Sequence, residues 1–201
     1  SKKAVSNINF KINENEIMGL LGPNGCGKTT TIGMILGLLK PTSGKVLING
    51  LDIEKNKISI LHKMNFISPY IELPKKLTVR QNLIVYGKLY NIQNLNDQIK
   101  YLSNKLRLDT LLDKITGELS SGQKNRVSLA KALINNPTVL LLDEPTASLD
   151  PETGDFVRTF LENYKKEKKI SVLLASHNMS EVKRLCDSVL MMKDGVIIDS
   201  G

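Results

Sequence analysis

Cysteine is scarce in this sequence, and long apolar runs are missing from it. Cys26 and Cys186 are the only two cysteines and stand far apart, which excludes the closely spaced cysteines of a metal-binding cluster. Two isolated cysteines are typical of a protein in the reducing cytosol. No apolar run reaches about 18 residues, so the sequence is not expected to cross a membrane by itself. Residues 1–7 contain no apolar h-region, and no signal peptide is predicted there.

Positive charge is what the sequence has in excess. The formal net charge is +8, which suits an acidic partner such as a nucleotide, a nucleic acid or an anionic membrane surface. The lysines are scattered rather than gathered in one block, which favours a generally lysine-rich surface over a dedicated basic patch. The 201 residues, with 41% hydrophobic content, are enough for one large domain or for one domain with a small subdomain.

The most informative stretch is residues 22–29, which read Gly-Pro-Asn-Gly-Cys-Gly-Lys-Thr. They match the phosphate-binding P-loop pattern G-x-x-x-x-G-K-[ST]. The apolar residues 17–21 before them predict a buried strand, and residues 30–39 after them suit a helix. A glycine-rich turn that matches by chance is the alternative, and the strand–loop–helix context argues against it.

The residue types in this loop explain how it would hold a phosphate. Gly22, Gly25 and Gly27 let the backbone curl so that several N–H groups point inward. A helix that begins near Lys28 adds the positive end of its dipole. Lys28 is expected to reach the β- and γ-phosphates of a nucleotide, and the hydroxyl of Thr29 is expected to contact Mg²⁺.

Strand-like and helix-like segments alternate along the rest of the chain. Strands are predicted for residues 4–12, 45–50, 65–68, 138–142, 170–175, 188–192 and 196–198. Helices are predicted for residues 58–63, 79–90, 91–112 with a break, 121–134, 151–168 and 179–186, the last with Asn178 and Glu181 spaced like a capping box. This alternation predicts an α/β fold with a mainly parallel sheet flanked by helices.

Two adjacent carboxylates end the apolar strand predicted for residues 138–142. Asp143 would face the P-loop from the carboxyl end of a buried strand and hold Mg²⁺, directly or through water. Glu144 follows and would accept a proton from an attacking water. Two solvated carboxylates before Pro145 are the simpler interpretation of this stretch alone, and the upstream P-loop argues against it.

Two further features have an ordinary alternative. Ser120 and Gly122 stand where a helix is predicted to begin, which would make a second phosphate-binding end, although an ordinary helix cap has the same pattern. His177 follows a predicted strand of the same sheet and would reach a γ-phosphate, although a lone histidine is more often a satisfied surface or core residue.

Together these pieces resemble the ATP-binding cassette (ABC) ATPases, specifically the nucleotide-binding domain of ABC transporters. The resemblance covers nearly the whole chain. Its most specific part is Leu-Ser-Ser-Gly-Gln at residues 119–123, similar to the family signature L-S-G-G-Q with Ser121 in place of the first glycine. The order of P-loop, signature, Asp143 with Glu144, Ser148-Leu149-Asp150 and His177 also matches.

The resemblance implies a P-loop NTPase fold in one domain covering residues 1–201. Residues 1–77 and 136–201 would form the catalytic core with an antiparallel β part, and residues 78–135 a helical subdomain that carries the signature. The implied nucleotide-binding residues are Gly22, Pro23, Asn24, Gly25, Cys26, Gly27, Lys28, Thr29, Thr30, Ser120, Gly122, Gln123 and Asp150. The implied catalytic residues are Glu144, His177 and Lys28, and the implied Mg²⁺ ligands are Thr29 and Asp143.

In this family two cassettes pack head to tail and sandwich two ATP molecules, which gives the remaining residues their expected roles. Ser120, Gly122 and Gln123 would contact the γ-phosphate bound by a partner's P-loop. Asp150 would belong to the D-loop, which touches the opposite subunit, and His177 would bond the γ-phosphate. One departure is clear: the family's Q-loop glutamine should fall near residues 68–70, which read Ser-Pro-Tyr.

The resemblance favours a transporter motor subunit that binds ATP and Mg²⁺ and pairs with itself or with a sister cassette. Residues 77–90 are similar to cassettes of drug and polysaccharide exporters, so a membrane-spanning permease partner, an export direction and a place at the cytoplasmic face of the cell membrane are expected. A soluble ABC-type ATPase acting on nucleic acid or ribosomes is the alternative, supported by the net charge alone. No heptad array separates Lys28 from Ser120, and no nucleic-acid partner is expected.

Overall fold

The protein is described here from a computed structural model, which describes residues 3–69, 71–147 and 149–201. Within those ranges the strands are β1 (Ile17–Leu21), β2 (Leu47–Ile48), β3 (Leu51–Asp52), β4 (Met64–Ile67), β5 (Val139–Asp143), β6 (Ser171–Ser176), β7 (Ser188–Lys193) and β8 (Val196–Ser200). The α-helices are α1 (Lys28–Ile35), α2 (Ile53–Leu61), α3 (Val79–Leu89), α4 (Leu95–Lys105), α5 (Ser121–Leu133), α6 (Pro151–Lys168) and α7 (Met179–Leu185). Short 3₁₀ turns lie at Asp109–Leu111 and Thr116–Glu118.

The main sheet has the strand order β4-β5-β6-β1-β7-β8. The first five strands in this order run parallel, and β8 returns antiparallel to β7 as a hairpin. β2 and β3 form a separate two-stranded antiparallel sheet. The predicted α/β class with a mainly parallel sheet is confirmed, and the carboxyl ends of β1 and β5 lie on the same edge.

The central strands are buried on both faces, which is why they appear in the sequence as continuous apolar runs. Successive side chains of a strand point to opposite faces, so Ile17 and Met18 enter different apolar clusters. The cluster containing Ile17 joins one sheet face to helices α3 to α6. The cluster containing Met18 joins the other face to α1 and α2. Helices therefore cover both sides of the sheet.

Side-chain caps mark where five of the helices begin, and those of α3, α5 and α6 concern the predicted motifs. Thr78 and Gln81 form a capping box at α3, and Ser120 and Gln123 form one at α5. At α6 the carboxylate of Asp150 accepts a hydrogen bond from the backbone N–H of Thr153 at 2.9 Å, with proline as the first helical residue. The interpretation of Ser120 as a helix cap and its interpretation as part of a signature motif are thus compatible.

Some local predictions differ from the structure. Residues 4–12 form no strand, although Ile8, Phe10 and Ile12 are partly buried against the core as the alternation requires. Alternation predicts which side chains are buried, but a strand also needs a neighbouring strand in register. No strand of the described residues pairs with this segment, although the backbone N–H of Ser6 donates to the carbonyl oxygen of Gly195 at 2.8 Å. Helix α1 ends at Ile35 rather than 39, because Gly37 takes a left-handed φ of +62°.

The predicted break within residues 91–112 is real: α4 ends at Lys105 and a 3₁₀ turn follows at Asp109–Leu111. In the part of the chain that the structure describes, no helix has both the length and the apolar character needed to span a membrane. Of the residues named in the sequence analysis, Ser1, Lys2, Tyr70 and Ser148 lie outside the described ranges.

Candidate nucleotide-binding site

A cavity of about 360 Å³ lies where the P-loop leaves the carboxyl end of β1. It is lined by Lys3, Ala4, Asn24, Gly25, Gly27, Lys28, Thr29, Thr30, Asp143, Glu144, Asp194 and Gly195. The P-loop and the two carboxylates after β5 therefore meet in one place, as expected for the carboxyl edge of an open α/β sheet.

The P-loop needs glycine at three positions, for two different structural reasons. Gly25 and Gly27 have left-handed φ angles of +79° and +113°, and Gly27 is the N-cap of α1. A Cβ atom built on Gly22 would lie 2.3 Å from the carbonyl oxygen of Met192 in β7, so only glycine fits there. The resulting loop places its backbone at the N-terminus of α1, which is a cradle suited to an anion such as a phosphate.

Lys28 is the buried cation of the cavity. Lys28 is only 6% exposed, and its Nζ donates hydrogen bonds to the carbonyl oxygens of Gly22 at 2.6 Å and Pro23 at 3.2 Å. The ammonium group therefore lies against the backbone carbonyl groups of its own loop. A phosphate held by the loop would sit next to a positive charge that is already desolvated.

Asp143 and Thr29 bring two oxygen atoms together beside the P-loop. The hydroxyl of Thr29 donates to Oδ2 of Asp143 at 3.3 Å, and Asp143 is only 3% exposed. Burial raises the pKa of Asp143; the Thr29 hydrogen bond opposes this, the Glu144 charge adds to it, and Lys28 opposes it. No cluster of three or more histidine, cysteine or acidic residues that could hold a metal by itself occurs among the described residues. One carboxylate and one hydroxyl next to a phosphate cradle are a donor set that fits Mg²⁺, which takes few protein ligands and completes its shell with water and phosphate oxygens.

Glu144 has an unusual backbone and a defined partner. Its φ is +51°, which is uncommon for a residue other than glycine, and its N–H extends the β5–β6 ladder by donating to the carbonyl oxygen of Ala175 at 2.9 Å. Its Oε1 accepts from the backbone N–H of His177 at 3.1 Å and lies 2.6 Å from Nδ1 of the same residue. An ionised carboxylate only accepts, so a hydrogen bond from an ionised Glu144 requires the proton on Nδ1 of His177.

The structure brings some of the predicted site residues into the cavity and leaves others outside it. Pro23 and Gly22 contribute carbonyl oxygens to Lys28, while Cys26 is 3% exposed and its side chain belongs to the apolar core, so its part in the loop is its backbone. Within the described part of the chain, the predicted residues Ser120, Gly122, Gln123 and Asp150 do not line this cavity. They lie together instead: a Cβ on Gly122 would contact Thr153, in the first turn of the helix that Asp150 caps, at 3.0 Å.

Sequence reasoning missed two parts of this region. Asp194 and Gly195, the turn of the β7–β8 hairpin, line the cavity, and Gly195 donates its N–H to the carbonyl oxygen of Cys26 at 2.9 Å. A hairpin turn has no motif that links it to a P-loop about 170 residues earlier in the sequence. Glu181 was expected to complete a capping box, which is wrong: Asn178 caps α7, and the carboxylate of Glu181 bonds to Thr146 and Ser176.

A mainly parallel sheet with a P-loop between β1 and α1, a buried lysine in that loop and an acidic residue ending a neighbouring strand define a P-loop NTPase. Comparison with known proteins then gives the family. The model of the ABC transporter family matches residues 5–147, and the chain belongs to this family as an ABC nucleotide-binding domain.

Two relatives and one solved structure illustrate the similarity. The chain is 38% identical over 202 residues to the bacitracin transport ATP-binding protein BcrA of Bacillus licheniformis, with 99% of the chain and 65% of BcrA covered. It is 36% identical over 207 residues to the methionine import ATP-binding protein MetN of Geobacillus kaustophilus, with 100% of the chain and 60% of MetN covered.

A dimeric structure of the ATP-binding cassette MJ0796, in a post-hydrolysis state bound to ADP and Pi, is similar to this chain with a TM-score of 0.87 and 25% identity. The match covers 98% of this chain and 90% of the MJ0796 chain. The chain thus spans nearly all of a solved cassette but less than two thirds of the length of BcrA and MetN.

Proposed function

We propose that the chain is the ATP-hydrolysing motor of an ABC transporter. One observation carries this proposal: Lys28, Thr29, Asp143 and Glu144, which come from two distant stretches of sequence, line a single cavity at the N-terminus of α1. Their residue types supply a phosphate cradle, a hydroxyl, a carboxylate for a cation and a second carboxylate for water. Phosphoryl transfer needs these parts because its catalysis is mostly positioning and charge neutralisation.

The P-loop and Lys28 are proposed to bind the β- and γ-phosphates of ATP. Lys28 already has its ammonium group at the carbonyl oxygens of Gly22 and Pro23, so the loop holds the cation in place before a phosphate arrives. Thr29 and Asp143 would hold Mg²⁺, which supplies positive charge for the phosphate oxygens during transfer. Pro23, Asn24, Gly25, Cys26, Gly27 and Thr30 would contribute the surrounding backbone and side-chain contacts.

Glu144 and His177 are proposed as the pair that acts on water and the γ-phosphate. Glu144 would orient the attacking water and take its proton. His177 fixes the carboxylate through its backbone N–H and Nδ1, which leaves Nε2 as the ring atom that could contact the γ-phosphate. To donate to both groups at once the imidazole must carry a proton on each nitrogen.

A second cassette is proposed to complete each site. Ser120, Gly122, Gln123 and Asp150 lie outside the cavity that Lys28 lines, which supports their acting on a nucleotide held by a partner. The solved MJ0796 cassette, similar over 98% of this chain, is itself dimeric. We therefore propose a homodimer or a pair with a sister cassette that ATP closes and hydrolysis reopens.

The membrane partner and the transport direction are further parts of the proposal. A separate membrane-spanning permease would receive the motion at the cytoplasmic face of the membrane, through the helical part at residues 78–135. The export direction expected from residues 77–90 stays a prediction, because a relative named for import is 36% identical to the chain.

Steady-state ATP turnover by the wild type and by Glu144→Gln tests this function. The amide cannot accept the proton of water, and loss of a positioned general base typically costs about 10²–10⁴-fold in rate, so we expect turnover to fall by at least about a hundredfold. ATP binding should persist, because Lys28 and the P-loop are untouched, and the trapped ATP state should elute as a dimer in size-exclusion chromatography. Equal turnover by the two proteins would remove Glu144 from its proposed role, and a monomer under every nucleotide condition would refute the pairing.

A further inference from the structure

Glu181 is a buried carboxylate outside the cavity that the proposed function uses. It lies in the first turn of α7 and is only 2% exposed. Burying a carboxylate costs free energy unless hydrogen bonds replace its water. The contacts of Glu181 therefore show what the fold gains from placing a charge there.

Two hydroxyl groups, one from the loop after β5 and one from the end of β6, satisfy the two oxygens of this carboxylate. The hydroxyl of Thr146 donates to Oε1 at 2.5 Å, and the hydroxyl of Ser176 donates to Oε2 at 2.7 Å. Ser176 is fully buried, and its Oγ also accepts from the backbone N–H of Asn178 at 3.0 Å. No ion pair to Glu181 occurs in the described ranges, so hydroxyl donors and the first turn of α7 balance its charge.

The two anchored residues stand next to the two residues proposed to act on water and the γ-phosphate. Thr146 is two positions after Glu144, and Ser176 directly precedes His177. Glu181 thereby joins the loop after β5 to the last residue of β6 through one side chain. The loop after β5 is also held by α5, since Nδ2 of Asn125 donates to the carbonyl oxygen of Pro145 at 2.8 Å.

Helix capping alone does not explain this arrangement. A capping-box glutamate bonds to the backbone N–H of the cap residue, but the N–H of Asn178 donates to Ser176 instead. An apolar residue would fill a buried position without desolvating a charge. What the carboxylate adds is a link that holds the loop after β5 at the end of β6.

We propose that Glu181 is a positioning residue for ATP hydrolysis, which fixes the Glu144 carboxylate relative to His177 through Thr146 and Ser176. This inference rests on the proposed function. Because a displacement of about 1 Å in a reacting group can cost about a hundredfold in rate, loosening this link should lower kcat. Nucleotide affinity should be unaffected, since neither Thr146 nor Glu181 lines the P-loop cavity.

The sharpest perturbation is Thr146→Val, which removes the hydroxyl and keeps the shape of the side chain. We expect kcat to fall at least about tenfold, with the Kd for ATP within about twofold of the wild type. Thr146→Ser retains the donor and should keep most of the wild-type kcat. Glu181→Gln should lower kcat in the same way, whereas Glu14→Gln, at an exposed residue in the turn before β1, should not.

A purely structural role would also slow turnover if it reduced the folded fraction, so two readouts exclude it. All rates are taken per folded protein, at a temperature where circular dichroism shows each variant to be fully folded. Thr146→Val is also combined with Glu144→Gln, and single-turnover hydrolysis is measured for the pair. If Thr146 acts through Glu144, adding Thr146→Val to Glu144→Gln should lower the single-turnover rate by less than about twofold.

The outcomes separate this inference from the proposed function. Both the proposed function and the positioning role would be supported by the following results: the wild type turns over ATP, Glu144→Gln and Thr146→Val hydrolyse it slowly, Thr146→Val keeps the wild-type Kd for ATP, and Thr146→Ser restores the rate. Wild-type turnover with slow Glu144→Gln but normal Thr146→Val and Glu181→Gln would overturn the positioning role alone. The positioning role would also be overturned if Thr146→Val slowed hydrolysis by the same factor in the wild-type background and in the Glu144→Gln background. A wild type without ATP turnover would overturn the proposed function and this inference together.

Discussion

Replacing Gly22 by alanine tests the close approach between the P-loop and the sheet. The new Cβ would lie 2.3 Å from the carbonyl oxygen of Met192 and 2.7 Å from Sγ of Cys26. The first of these atoms belongs to the backbone of β7, which is hydrogen-bonded on both sides and cannot yield as a flexible side chain would. The P-loop itself must therefore move.

The size of the effect follows from that geometry. Adding a methyl group to a well-packed region typically costs about 1–3 kcal/mol, and a clash with backbone belongs at the upper end, so we expect a loss of about 3 kcal/mol in the free energy of unfolding. Gly25→Ala is the matched control. Nothing lies within 4 Å of its Cβ position, and its φ is +79°, so only backbone strain of about 1–2 kcal/mol applies.

Urea unfolding followed by circular dichroism measures both variants, and titration calorimetry measures their affinity for ATP. We expect Gly22→Ala to be the less stable variant and to bind ATP more weakly, because the shifted loop no longer presents its N–H groups to phosphate. Gly22→Ala at least as stable as Gly25→Ala would refute the assigned contact between the P-loop and β7.

The remaining predictions concern the charges of the cavity. Lys28→Ala should weaken ATP binding by at least about tenfold in titration calorimetry, since a charged hydrogen bond contributes about 1.5–3 kcal/mol, whereas Lys45→Ala at an exposed position should not; equal affinities would contradict the role of Lys28. Asp143→Asn should stabilise the nucleotide-free protein at neutral pH in thermal unfolding. The raised pKa of Asp143 means that the folded protein disfavours the charged form, so stability is lost as pH rises from the unfolded carboxyl range near about 4 through the raised pKa, and asparagine should remove that loss. An unchanged pH profile of stability would count against the burial of the Asp143 charge.

Local patterns predicted the elements whose causes are themselves local. The apolar run at residues 17–21 predicted β1 because a strand buried on both faces has no polar positions. Asp150 followed by proline predicted the start of α6 because both residues act within one turn. The P-loop pattern predicted the strand–loop–helix unit for the same reason.

The errors arose where a partner from elsewhere in the chain decides the outcome. Residues 4–12 have the alternation of a strand, but no strand of the described residues pairs with them, so they remain irregular. Glu181 has the spacing of a capping residue, but a hydroxyl 35 positions earlier takes its carboxylate. Rules based on neighbouring residues cannot include a hydrogen-bond partner that only the folding of the sheet brings close.

By itself the sequence determined the P-loop, the starts of α3, α5, α6 and α7, the alternation of strands and helices and, through its motifs, the ABC transporter family. Only the tertiary structure decided which side chains meet at the end of the sheet: Lys28 against its own loop carbonyls, Thr29 beside Asp143, and Glu144 against His177. The physical reason is that the order of strands β5, β6 and β1 in the sheet differs from their order in the chain. Hydrogen bonds between residues 33 and 114 positions apart form only after those strands have paired.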